Sequence, residues 1–309
     1  MSHATQQALF DLPCPPPAPT AAAADPARAG MRRWWRLQGH ARRAGRPVEP
    51  VLVTPHFVGR LDAGRCPVTR EALSQRTAQV LPLRGDAAVA AGHLALLGPA
   101  AAAALAARPG WTAAWATADR LAAPDGSGRE TELGLDGAAW RRLAVLQSFV
   151  QPISPAQAAW LPLLVLPPPR LRVIGAAQAL QVALTLSLTA TGRGRGLVEL
   201  ATRVPDDGTR LALRVFVLTL LARCPHDLAA QPWPARRCAL EALWTDPLLQ
   251  RRWHRLAGRL DDALATRLLR QGRRDGTLSG PWRALDDDAA VDGWELPAAH
   301  RPARGAACR

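Results

Sequence analysis

Cys66 lies in RLDAGRCPVTREAL, residues 60–73, as a single thiol beside Pro67. A nucleophilic cysteine needs a histidine base within reach, and a metal-binding one needs further ligands at short spacing. Neither stands beside it, so Cys66 reads as a small buried hydrophobe. His93, Asp86 and His56, with Asp62, are residue types that hold divalent cations. They are the candidate metal ligands, set against the plainer reading of His93 as a hydrogen-bonded loop histidine. GRGRG, residues 192–196, is Gly-rich but lacks the lysine and the strand-to-helix setting of a phosphate-binding loop, and reads as a flexible basic loop.

Arginine is the most abundant source of chemistry. Arg28, Arg32, Arg33, Arg36, Arg42, Arg43 and Arg46 occur with no acidic residue between Asp25 and Glu49, and Trp34 and Trp35 lie among them. Guanidinium groups beside accessible aromatics suit phosphate contact with base stacking. The competing reading has the tryptophans anchoring a helix to the core while the arginines are solvated. A secondary basic ridge, Arg251, Arg255 and Arg259, follows at i, i+4 spacing on a long C-terminal helical pattern. Like charges at that spacing cost a few tenths of a kcal/mol per pair. An anionic partner, or Asp261 and Asp262, would offset this.

Composition limits what the charge means. The 309 residues include no Lys, Asn or Tyr, and Ile153 and Ile174 are the only isoleucines. Such absences point to a GC-rich genome, so the choice of Arg over Lys is not itself a sign of nucleic-acid recognition. The net charge of +14 is a separate matter, because it favours anionic partners whichever basic residue carries it. Cys14, Cys66, Cys224, Cys238 and Cys308 are odd in number and widely spaced, which argues against a disulfide framework and a zinc ribbon. The first residues lack a basic stretch followed by an apolar run, so a cytoplasmic location is expected.

Four segments position these groups. Residues 1–30, rich in Pro and Ala, read as a disordered leader. Residues 31–110 read as short helices and a small α+β unit: a helix from Met31, a second over PHFVGRL capped by Thr54, a strand near 80–83, a loop through Gly92, a strand at 93–97 and an alanine helix from Pro99. Residues 111–285 form a helical domain, with helical spacing in AAWRRLAVLQSFV, LRVIGAAQALQVALTLSL, DDGTRLALRVFVLTLLARC and DPLLQRRWHRLAGRLDDALATRLLRQG. Residues 286–309, opening on Asp286, Asp287 and Asp288, read as a flexible tail. The fold class is mainly α with a small ββα unit near the N-terminus. Residues 173–192 are apolar enough to raise a membrane span, but Gln178, Gln181 and several hydroxyls favour a buried soluble helix. No membrane partner is expected.

The CPVT turn followed by VLPLRGDAAVAAGHL, residues 80–94, resembles the ββα-metal module of HNH endonucleases over about residues 60–107. Val80, Asp86, Gly92 and Leu94 keep the module's pattern. The family's acid and base positions fall on Leu81 and Pro82, its aromatic on Val89 and its loop Asn on His93. HNH chemistry requires a histidine to deprotonate water and ligands that hold a cation against the scissile phosphate. Leu81 and Pro82 can do neither, so the resemblance implies a degenerate module with no catalytic residues and no cofactor. The expectation is a non-catalytic protein with a structural or weak, sequence-tolerant nucleic-acid-binding role, in which phosphate contacts dominate. The interface would be Arg32, Arg33, Arg36, Arg42, Arg43, Trp34 and Trp35. A metal-dependent HNH-type endonuclease with displaced ligands, and a helical protein-interaction protein with no nucleic-acid role, are the alternatives.

Overall fold

The computed structural model describes residues 26–61, 64–122, 130–189 and 194–278. Most of the leader, Asp62, the first two residues of GRGRG and the acidic tail therefore lie outside the described residues. Those described form twelve helices and one two-stranded antiparallel sheet.

Helix α1 runs Pro26–Arg43 and starts before Met31, within the stretch read as leader. It crosses the short α2, Pro55–Gly59, which Thr54 and Pro55 begin as their types require: the Thr54 hydroxyl accepts the Phe57 N–H at 3.2 Å. The crossing is tight because residue 30 is glycine. A Cβ there would sit 2.6 Å from the Pro55 carbonyl oxygen, a backbone atom that cannot rotate away. Gly30→Ala is therefore expected to destabilise by about 1–3 kcal/mol despite alanine's better helix propensity, a change that a urea titration would resolve.

Strands β1, Gln79–Pro82, and β2, Leu94–Leu97, pair with Val80 opposite Leu96 and Leu81 opposite Ala95. Alternation sends their side chains to two cores. Val80, Leu94 and Leu96 join Leu37, Ala41 and Val58 beneath α1 and α2. Leu83, Ala95 and Leu97 join the larger core, where Leu81 packs half-buried. This explains why β2, LALL, is apolar at every position: a strand covered on both faces needs no polar side. The connection between the strands includes a 3-10 turn, Ala91–His93, and is held by the buried Glu49 carboxylate, which accepts from Leu52 N at 2.8 Å and Ala91 N at 3.3 Å.

Helix α3, Pro99–Ala107, follows β2 directly. The CPVT turn closes against their junction. Cys66 N donates to Glu71 O at 2.8 Å, Arg70 takes a positive φ of 67°, and the Cys66 sulfur accepts the Gly98 N–H at 3.4 Å. Cys66 and Val68 are fully buried in the larger core, which draws residues from both sides of position 110.

That core is helical: α4, Trp111–Leu121; α5, Gly137–Ser148; α6, Pro155–Ala158; α7, Ala176–Ser187; α8, Gly194–Thr202; α9, Asp207–Arg223; α10, Trp233–Leu243; α11, Pro247–Ala257; and α12, Asp262–Arg274. Helix α7 is buried all round, and its polar side chains bond internally, leaving the Gln178 and Gln181 Oε1 atoms without a partner among the described residues. Gln178 donates to Ser148 at 2.8 Å, Gln181 to Leu161 O at 3.0 Å, and Thr185 accepts from the Trp244 indole at 3.2 Å. Trp244, Trp253 and Phe216 pack together with ring centroids 5.5–5.9 Å apart. No helix of the described residues is long and apolar enough to cross a membrane.

The C-terminal pattern, expected as one long helix, is two. Helix α11 ends at Gly258, and the Asp261 carboxylate restarts the chain as α12 by accepting the Leu264 N–H at 2.6 Å. The apolar spacing runs through the break because both helices bury their leucines in the same core. The GRGRG reading also changes, since Gly194 begins α8 instead of lying in a loop.

Candidate functional site

The described candidate metal ligands do not assemble. Among the described residues no three His, Cys, Asp or Glu side chains converge on a point that could hold a metal ion. Asp86 is exposed and paired with Arg84 at 3.1 Å, and hydrogen bonding from that guanidinium holds its carboxyl below the usual range. His56 lies in α2. His93 is enclosed in the 3-10 turn at 1% exposure; burial first, then the positive charge of Arg84, pushes its imidazole down to about 4. It is a neutral interior histidine at physiological pH. Leu81 and Pro82 occupy β1 with no group able to move a proton, and α3 is PAAAAALAA, with no ligand atom in any side chain.

The arginines of α1 divide by helical geometry. Arg33, Arg36, His40 and Arg43 follow i, i+3, i+7 and i+10 spacing and share one side of the helix. Opposite them, Arg76, Thr77, Gln79, Val80, Leu81 and Pro99, with Ala78, complete the walls of a cleft of about 440 Å³. Arg36 reaches across and donates to the Arg76 carbonyl at 3.2 Å. Arg33 is only 3% exposed, whereas Arg36, Arg43 and Arg76 are exposed. None of the described lining residues carries a carboxylate. The exposed Arg36, Arg43 and Arg76 therefore add to the same field, in a concave surface that screens it less than open water would.

The other residues of the expected interface sit elsewhere. Arg32 and Arg42 are exposed on α1 but do not line the cleft. Trp34 is a structural anchor, with its indole N–H donating to Val53 O at 2.8 Å. Trp35 is 59% exposed and makes an edge contact with Trp34 at 5.0 Å. Arg46, in the same arginine run but not in the expected interface, is committed to the fold, donating to Arg84 O at 2.6 Å and Ala87 O at 2.8 Å across the inter-strand connection. Comparison with protein-family models, curated proteins and solved structures found no match for this chain.

The secondary ridge is divided. Arg251 and Arg255 are exposed one turn apart on α11, but Arg259 falls after its end. A Cβ on Gly208 would meet the Arg259 guanidinium at 2.6 Å, so Arg259 covers the start of α9, where its charge helps to hold the Asp206 carboxyl low after the hydrogen bonds from Thr209. The expected three-residue row is thus a pair, because Gly258 and Asp261 end one helix and begin another.

His40, Arg76, Thr77 and Gln79 belong to the cleft and were not among the residues singled out from sequence. The spacing of positions 33, 36, 40 and 43 contained the signal for His40. Arg76 had none: it lies in SQRTAQ ahead of β1, and only the antiparallel hairpin brings that segment beside α1.

Proposed function

We propose that this chain is a non-catalytic protein that binds the phosphates of nucleic acid with little sequence preference, through the basic side of α1. Its hairpin and alanine helix are then a degenerate HNH-like unit retained as the scaffold that holds Arg76 against that side. The supporting observation is the cleft along which the exposed Arg36, His40, Arg43 and Arg76 stand together, with no carboxylate among its described lining residues. Contacts of this kind fix position on a phosphate backbone and carry no base information.

About four or five phosphates would be neutralised, giving a log–log salt slope of about −4 on duplex DNA. A variant with Arg32, Arg36, Arg43 and Arg76 replaced by Gln is expected to flatten that slope and to weaken all sequences alike. Binding that the variant leaves unchanged would refute the assignment. The same preparations, supplied with Mg or Mn, are expected to leave supercoiled DNA intact. Nicking that survives stringent purification and is lost in His93→Ala would favour an endonuclease with displaced ligands.

A protein-interaction role draws support from a separate surface. Leu211 and Leu218, two turns apart on α9, are 63% and 46% exposed. Absence of DNA binding at low salt would move the reading to that face.

A further inference from the structure

Trp34 belongs to the fold and Arg36, Arg43 and Arg76 to the cleft, which leaves Trp35 without a structural role. It is 59% exposed, although a ring of that size gains more from burial than from water, and Met31, one turn earlier on the same side of α1, is 44% exposed. Its contact with Trp34 is made at 70° between the ring planes, so neither ring lies flat on the other. Trp34 is itself pinned to Val53 O, so Trp35 has a fixed neighbour on one side and open surface besides. The next turn carries Gly39, where the helix has no side chain. A Cβ there would come within 3.6 Å of the Arg43 guanidinium, which therefore folds back along the helix toward Trp35. Arg32, one turn before Trp35, and Arg42, two turns after it, are exposed on this side as well, and α1 contains no acidic residue.

An open aromatic ring rimmed by guanidinium groups suits a polymer that offers flat bases and phosphates at a short repeat. In a duplex the bases already stack on one another, and only backbone would meet the ring. A strand with free bases gains from the ring and the arginines together. We infer that α1 prefers single-stranded nucleic acid, with one base stacked on Trp35 and the neighbouring phosphates on Arg32 and Arg43 across Gly39. This rests on the phosphate-binding reading above and adds the substrate class. Base identity is not read, because every base has a face to stack.

The test follows labelled oligothymidylate and a duplex of the same length by fluorescence anisotropy across a salt series. Phosphate contacts weaken as salt rises, whereas stacking persists, so the ratio of single-strand to duplex affinity is expected to grow with salt. Trp35→Ala is expected to weaken the single strand about tenfold and the duplex less than about twofold. Trp35→Phe keeps a stacking face and should recover most of the loss. Gly39→Gln fills the bare turn with a better helix former, so it is expected to fold and to weaken the single strand selectively; it carries the test should Trp35→Ala melt early. Equal losses for the two nucleic acids in these variants, or a ratio that shrinks with salt, would overturn the inference. Unchanged binding of both in Trp35→Ala and Gly39→Gln, with binding still lost in the four-arginine variant, would sink it and leave the phosphate reading standing. Single-strand binding lost in Trp35→Ala but indifferent to the four-arginine variant would do the opposite. Attachment to vesicles of anionic phospholipid that Trp35→Ala removes, with oligothymidylate binding unaltered, would assign the ring to a lipid surface and overturn the inference.

Discussion

Glu241→Ala is expected to destabilise the protein by about 3–5 kcal/mol, the range for breaking a buried charge pair, and to lower its melting temperature by roughly 10 °C. Glu241 is 3% exposed on α10. Its carboxylate accepts the Leu166 N–H at 2.6 Å and pairs with Arg237 at 3.1 Å and with Arg70. Arg70 also donates to Leu164 O at 2.9 Å, and Arg237 to Leu166 O. One carboxylate thus joins the CPVT turn, the proline-rich segment around residue 165 and α10. Alanine would leave two guanidinium groups facing each other without their counter-charge, and Leu166 N without an acceptor. Glutamine keeps an acceptor but loses the charge, so an intermediate loss is expected. Calorimetry on the two variants checks this, and a shift of only a degree or two for Glu241→Ala would mean that solvent screens the cluster.

Acid should act through His93. Its imidazole is held at about 4 in the folded chain against 6.5 when free, so between those pH values the unfolded state binds more protons. The stabilisation is complete above pH 6.5, falls as the pH drops through that window and levels off near pH 4. The gap corresponds to about 3 kcal/mol. The charged groups facing this imidazole are Arg84, Arg46 and Asp86; both arginines oppose protonation and Asp86 favours it. His93→Gln is expected to flatten the curve of unfolding free energy against pH between 6.5 and 4, as read by urea titration. A variant with the parent's slope would place the acid sensitivity elsewhere.

The hairpin and the alanine helix were legible in the sequence because their signals are local. Residues 80–97 alternate and then run apolar, and Gly98 and Pro99 mark the turn into a helix. Thr54 and Pro55 marked α2 in the same way. The break at Gly258 was hidden because leucines at steps of three and four continue across it, and periodicity alone does not register a cap. Helix α4 escaped because WTAAWATADRL follows Pro109 and Gly110 with few large apolar residues, and it is secured by packing on α5. For the site, the arginines on α1 were plain from composition. Their division into a cleft side and an outer side depended on where β1 lies. The fate of Arg46 depended on carbonyls about 40 positions away.

The most direct measurement is the response of individual arginine side chains to bound nucleic acid, followed through guanidinium N–H resonances while oligothymidylate is added to the full chain. The signals of Arg36, Arg43 and Arg76 are expected to shift together and saturably, while those of Arg251 and Arg255 on α11 stay in place. Shifts confined to Arg251 and Arg255, or saturable binding with the three cleft arginines unmoved, would contradict a phosphate-binding role for the cleft between α1 and β1.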